Sequence, residues 1–349
     1  MAKNTPTIID YRDQLRKLTE EGPARVYILR GEEEFLRESF VLKLREVCLP
    51  EGTDSFNYTR LDGTDMDLVK LSDALESMPF LGERTLCEVR GFDINKTRDY
   101  DASVFASIVS DVPEWCTVAF IFSPEYAPDG RLAPVKALNK VALTVEFTRQ
   151  SDRDLVRWLY KHFQRHGKII DAETAEYMLY VCGTLMNSLL PEIDKVAGFS
   201  KGEQILSSDI DAVAKKAPES TVFNLTDALG AQKFDEAASL LSNLLENREE
   251  NPHKLLYVIS EQIRRLYAAR LARDGRRTGE WLAECFPELG RQEFLRRKLM
   301  GAAGNFTFET LRDYVEACAL CEFKMKSGTS VSDTDLLKEL LLSFSTVHA

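Results

Sequence analysis

Several short stretches of this chain carry residue types whose spacing chemistry can use, and each points to a different chemistry. After the apolar run Arg25-Val-Tyr-Ile-Leu-Arg30 comes Gly31-Glu-Glu-Glu34, then a helical pattern with Phe35, Leu36, Phe40, Leu42 and Leu44 up to about Val47. Strand, turn and helix in that order is the setting of a phosphate-binding loop. Such a loop needs several glycines so that backbone N–H groups wrap the phosphates, a lysine for the outer phosphates and a Ser or Thr for magnesium. Here one glycine is followed by three glutamates whose charge repels a triphosphate, and no Gly-Lys-Ser or Gly-Lys-Thr occurs in the chain. No ATP hydrolysis and no nucleotide cofactor are expected.

Cys318-Ala-Leu-Cys321 has the spacing of a redox or metal pair, but it lies inside the helical run from Phe308 to Lys326 and has no second pair near it. Two small apolar residues facing a helix interface is the better reading. His162 and His166 are one helical turn apart, yet Gln164-Arg165 stands where a zinc peptidase needs its glutamate, so a solvated helix face is expected and no metal. From Lys254 to Lys298 there are eleven Lys and Arg against six Asp and Glu, with Arg264-Arg265, Arg276-Arg277 and Arg296-Arg297 as adjacent pairs. That surplus suits a phosphate backbone or an acidic partner; a run of exposed arginines along helices explains it equally well.

The stretch Ala74 to Arg90 is of another kind. Leu68, Leu71 and Leu75 predict an amphipathic helix to about Ser77, where Pro79 stops it, and Arg84-Thr-Leu-Cys-Glu-Val89 reads as a strand with Gly82 in the turn. Phe80 and Leu81 are thereby left at a helix-to-strand corner, where chain normally runs over the surface and is polar. An anchor for a partner, with Met78 and Pro79 beside it, is one reading. A side chain folding back to plug the core is the other.

The elements around these places form two regimes. Strands are expected at Arg25–Arg30, Phe56–Leu61, Arg84–Val89, Thr117–Phe122 and Thr144–Phe147, alternating with helices, after an opening amphipathic helix from Ile8 to Leu18. This alternation predicts an α/β domain with an open parallel sheet over residues 1–148. Beyond Phe147 every long segment is helical. A small all-α domain is expected over 149–217, with Ala217-Pro-Glu-Ser-Thr221 as its exit linker, then a second all-α domain over 218–349.

Composition bounds the rest: 349 residues imply two or three domains, and 44% hydrophobic with 29% charged residues is that of a soluble globular protein. Seven scattered cysteines do not make a secreted disulfide framework, and no apolar window is long enough to cross a membrane, so a cytoplasmic protein is expected. A net charge of −11 argues against a free-standing nucleic-acid binder.

With these segments placed, the chain resembles the delta-subunit family of bacterial DNA polymerase III clamp loaders over nearly its whole length. The matching stretches are Val26 to Leu36, Pro79-Phe-Leu-Gly-Glu-Arg84, Cys182-Gly183 through Pro191-Glu-Ile-Asp-Lys195, Val222-Phe-Asn-Leu-Thr-Asp-Ala228 and Phe323-Lys-Met-Lys-Ser-Gly328. Each is weak alone; five in the correct order are specific.

The resemblance implies a degenerate AAA+ module of P-loop-like type followed by a helical lid and a helical collar. It implies no catalysis, although the assembled holoenzyme is a DNA-directed DNA polymerase. It implies three partners: the ring-shaped sliding clamp, the other loader subunits through the C-terminal helices, and primed DNA within the complex. The family's clamp anchor falls on Phe80 and Leu81; a phenylalanine often stands second in that pair, so Leu81 is a departure. The competing readings are a nucleotide-dependent AAA+ ATPase, which lacks its lysine and serine, and a helical scaffold in which Phe80 and Leu81 are core.

Overall fold

The computed structural model describes residues 8–346 apart from 50, 53, 65–66, 98, 247–250 and 329. The chain divides into two compact units, Met1–Arg149 and Gln150–Ala349. The first is an α/β unit whose strands are β1 (Ile8–Asp10), β2 (Val26–Arg30), β3 (Tyr58–Asp62), β4 (Thr85–Arg90), β5 (Cys116–Ile121) and β6 (Leu143–Glu146). They form one parallel sheet in the order β1-β6-β2-β5-β4-β3. Its helices are α1 (Tyr11–Glu20), α2 (Glu34–Cys48), the single turn α3 (Asp54–Asn57), α4 (Leu68–Glu76), α5 (Asp99–Ser110) and α6 (Ala133–Val141).

Central β5 is buried along its whole length, as a parallel strand covered on both faces must be, whereas edge strand β3 is nowhere fully buried. Side chains alternate between the faces. Val26 and Ile28 of β2 join Leu71, Leu75, Phe105 and Leu138 in the core under α4, α5 and α6. The intervening Tyr27 meets Phe40 of α2 at 5.8 Å between ring centroids, and Phe40 meets Phe147 at the same distance. Helix α2 is also tied to the sheet by charge. Glu88, fully buried on β4, accepts from Arg45 Nε at 2.5 Å and pairs with Arg90 at 3.1 Å, and Arg90 makes two bonds to Glu38.

Two expectations for this unit are corrected. Residues Ile8–Asp10 are an edge strand paired with Thr144–Glu146, and the helix starts only at Tyr11. The apolar pair Ile8-Ile9 fits either period over so short a run, and the free edge of β6 decides it. Phe56 and Asn57 belong to the helical turn α3, and strand pairing begins at Tyr58.

The second unit is all helical: α7 (Asp152–Arg165), α8 (Ala172–Cys182), α9 (Met186–Phe199), α10 (Ser207–Val213), α11 (Pro218–Gly230), α12 (Phe234–Glu246), α13 (Pro252–Asp274), α14 (Trp281–Cys285), α15 (Glu293–Ala302), α16 (Phe308–Lys326) and α17 (Asp333–Thr346). The expected linker Ala217–Thr221 is the start of α11 instead. Pro218 occupies the first helical position, where its missing N–H costs nothing and its fixed φ suits the helix. One apolar core runs from Val222 of α11 to Phe344 of α17. Among the described residues no helix is long and apolar enough to cross a membrane.

One acid in this unit is held against its solution preference. Burial, with Glu176 and Glu293 adding repulsion against Arg296 and the Phe294 N–H, pushes the Asp152 carboxyl up to about 6. A raised acid favours the fold while protonated, and that contribution is lost as pH rises through about 6. Asp152→Asn is therefore expected to stabilise the protein at pH 7.5 by on the order of 1 kcal/mol, because the site is part-solvated. The gain should shrink to nothing below about pH 4, where the acid is neutral in both states. Thermal midpoints between pH 4 and 8 check this.

Candidate functional site

Helix α4 ends at Glu76, and the chain turns through Ser77-Met-Pro-Phe-Leu-Gly82 into β4. The four residues at its tip do not fold back into the core. Met78 is 75% exposed, Phe80 53% and Leu81 79%, and Pro79 is half-buried. Leu81 also has φ of 54°, a left-handed conformation that a non-glycine residue adopts at a cost of about 1–2 kcal/mol. A large apolar side chain held outward at such a cost is a pointer to function.

The corner is held rigidly from behind. Asn57 of α3 is buried, and its amide grips the Phe80 backbone from both sides: Phe80 N–H donates to Oδ1 at 2.6 Å and Nδ2 donates to the Phe80 carbonyl at 2.8 Å. Trp115 Nε1 donates to the Ser77 carbonyl at 3.2 Å, and Arg84 reaches the Glu114 carbonyl. Asn57→Ala is expected to cost about 1–3 kcal/mol for two lost bonds and to leave the Phe80 amide exchanging as fast as an open loop. Amide exchange at Phe80 measures that directly.

Sheet pairing brings a further apolar residue to the corner. Because β3 and β4 are parallel neighbours with Tyr58 opposite Leu86, the residues just before each strand lie side by side at the same end of the sheet. One turn of α3 points Asn57 inward and Phe56 outward. The Phe56 ring, 62% exposed, meets the Phe80 ring at 5.1 Å. The sequence reading missed Phe56 by assigning it to a strand; the run of turn-forming residues Gly52-Thr-Asp-Ser55 before it is the signal for a helical turn.

The glycine-glutamate turn sits at the opposite, C-terminal end of the strands. Gly31 has φ of +125° and lies so close to β6 that a Cβ there would fall 2.4 Å from the Phe147 carbonyl oxygen. The turn's amides serve the chain itself: Glu33 N–H donates to the Phe147 carbonyl at 3.0 Å and Glu34 N–H to the Glu32 carbonyl. Buried Arg37 donates to the Phe122 carbonyl at 2.8 Å, and Glu32 pairs with Arg149. The turn after β2 therefore carries three carboxylates, and two of its amides donate within the chain.

The other candidates are dispersed. Cys318 and Cys321 are buried in the helical core, where burial pushes their thiols up to about 12 and about 11 and keeps them protonated. His162 meets the Trp158 ring at 4.0 Å in a tilted arrangement while His166 pairs with Asp194 at 3.1 Å, so the two rings have different partners. Among the described residues no group of three or more His, Cys, Asp or Glu is placed to hold a metal ion.

The arginine surplus is largely absorbed within the helical unit. Arg264 pairs with Glu261, Arg265 with Glu288 and Arg297 with Glu176, and Arg296 donates to the Leu289 carbonyl. Arg277 lies over the Trp281 ring at 4.8 Å. Arg276, exposed with φ of 51°, pairs with no carboxylate among the described residues.

Residues 27–148 match the family described as DNA polymerase III, delta subunit, and residues 219–344 match the DNA polymerase III delta subunit, C-terminal domain. The chain is 26% identical over 324 residues to the DNA polymerase III subunit delta of Bacillus subtilis, covering 91% of each chain. It is 22% identical over 310 residues to the probable DNA polymerase III subunit delta of Aquifex aeolicus, covering 85% of each. Its fold is that of the Bacillus subtilis DNA clamp loader delta protein, with a TM-score of 0.52 at 23% identity over 96% of this chain and 99% of that one. With both family domains matched in order along one chain, this protein belongs to the DNA polymerase III delta subunit family.

Proposed function

We propose that this chain is the non-catalytic, clamp-opening subunit of a clamp loader. Met78, Pro79, Phe80 and Leu81 form its anchor on the ring-shaped sliding clamp. The observation that carries this reading is the exposed, backbone-clamped Met78–Leu81 corner in a chain of this family. A clustered apolar patch of this kind marks an interaction surface, whereas single exposed apolar residues need no explanation. A pre-held corner also loses little entropy on docking.

The chain opens the ring by binding the sprung form more tightly than the closed one, since only differential affinity moves a conformational equilibrium. It does so without hydrolysing ATP: the loop position lacks the required lysine and serine, and the Glu33 and Glu34 amides already donate within the chain. Residues 149–217 act as lid and 218–349 as the collar that joins the other loader subunits. Primed DNA is met within that assembly, and Arg276 and Arg277, both exposed and paired with no carboxylate among the described residues, are the arginines of the surplus we assign to it.

Calorimetric titration of the purified protein with the sliding clamp tests the reading, first alone and then with the partner ATPase subunits and ATP. Saturable binding in either case supports it. Heat of dilution alone in both cases refutes it.

A further inference from the structure

We propose that Phe56 is a further large apolar residue of the same clamp-binding surface and contacts the clamp directly; this rests on the clamp-binding reading of the Phe80 corner. Phe56 is separated from Phe80 by twenty-three residues of chain and belongs to none of the stretches that carry the family resemblance. Three observations place it in the site. Its ring contacts the Phe80 ring at 5.1 Å with a tilt of 54°, within the centroid range of about 4.5–7 Å for interacting aromatic pairs. It nevertheless stays 62% exposed, so Phe80 covers only part of it and most of the ring still faces solvent. And it sits on the same short turn as Asn57, whose amide holds the Phe80 backbone, so the elements presenting Phe56 and Phe80 are hydrogen-bonded into one piece.

An exposed aromatic ring leaning on another is apolar area the fold could have buried and did not. Phe56, Phe80, Leu81 and Met78 form a surface of two rings and two flexible side chains, all more than half exposed. Aromatic side chains of that kind dominate interface energetics once neighbours exclude water. Phe56 acts in two ways: it adds contact area of its own, and it restricts the Phe80 ring before docking so that less rotamer freedom is lost. The occupant is the apolar pocket of the clamp that receives Phe80 and Leu81, extended on the α3 side.

The test is a cycle of Phe56→Ala, Phe80→Ala and the double variant, titrated against the sliding clamp, with Phe199→Ala as a control for an exposed apolar residue in the helical unit. Phe56→Ala is expected to weaken clamp binding about tenfold with an unchanged thermal midpoint, while the control binds as wild type. In the Phe80→Ala background, Phe56→Ala should still weaken binding by roughly threefold, which a residue that only props up Phe80 would not do. Wild-type binding with an unaffected Phe56→Ala variant overturns this proposal and leaves the Phe80 anchor standing. No effect in the Phe80→Ala background overturns direct contact. Absence of wild-type binding, with and without the ATPase subunits, overturns the clamp reading itself.

Discussion

Replacement of both Phe80 and Leu81 by alanine is expected to weaken binding to the sliding clamp at least about a hundredfold, roughly 3 kcal/mol or more. Full burial of each side chain is worth roughly 1.5–3 kcal/mol. The lower end applies to Phe80, because Phe56 already shields part of its ring. Stability should change little, since both side chains are more than half exposed and the Asn57 bonds go to the Phe80 backbone, which alanine keeps. Calorimetry with a parallel thermal melt separates the two effects. A variant that melts like wild type and binds like wild type would remove the corner from the interface while leaving family membership untouched.

Gly31→Ala should act in the opposite way, on the fold alone. A Cβ at that position would sit 2.4 Å from the Phe147 oxygen and 2.7 Å from the Phe147 nitrogen, both backbone atoms of the segment ending β6 that cannot rotate aside. Its φ of +125° is in addition closed to alanine. Relieving both clashes means separating the turn from β6 and giving up the Glu33-to-Phe147 bond. We expect a loss of about 3 kcal/mol or more in urea-unfolding stability. Gly130→Ala, where nothing lies within 4 Å of the added Cβ, should be close to neutral. A Gly31 variant as stable as the Gly130 one would show that the turn does not hold this conformation. Clamp affinity per folded molecule should survive, because the turn and the corner lie at opposite ends of the strands.

Local pattern made much of this protein legible. The strands from Arg25 to Phe147 and the long helices after it announce themselves through apolar period and through caps such as Ser151 and Asp171, whose side chains accept from Asp154 N–H and Thr174 N–H. The residue types after Arg30, one glycine and three glutamates, are plain in the sequence. So is the oddity of Phe80-Leu81 after Pro79, though sequence alone left open whether the pair faced in or out.

Tertiary structure decided what depends on partners distant along the chain. Ile8–Asp10 is a strand because β6 offers it an unpaired edge, a fact no property of those three residues contains. Arg264, Arg265 and Arg297 read as part of a basic run until Glu261, one turn earlier on α13, and Glu288 and Glu176 from other segments pair with them. Phe56 joined the corner because the pairing of β3 with β4 sets the residues before those strands side by side. Asn57 then closes the gap with hydrogen bonds to a backbone twenty-three residues away. Sequence specifies which side chains are apolar and how each segment repeats. Which of them share a surface is set by sheet order and register, and those are collective properties of the folded chain.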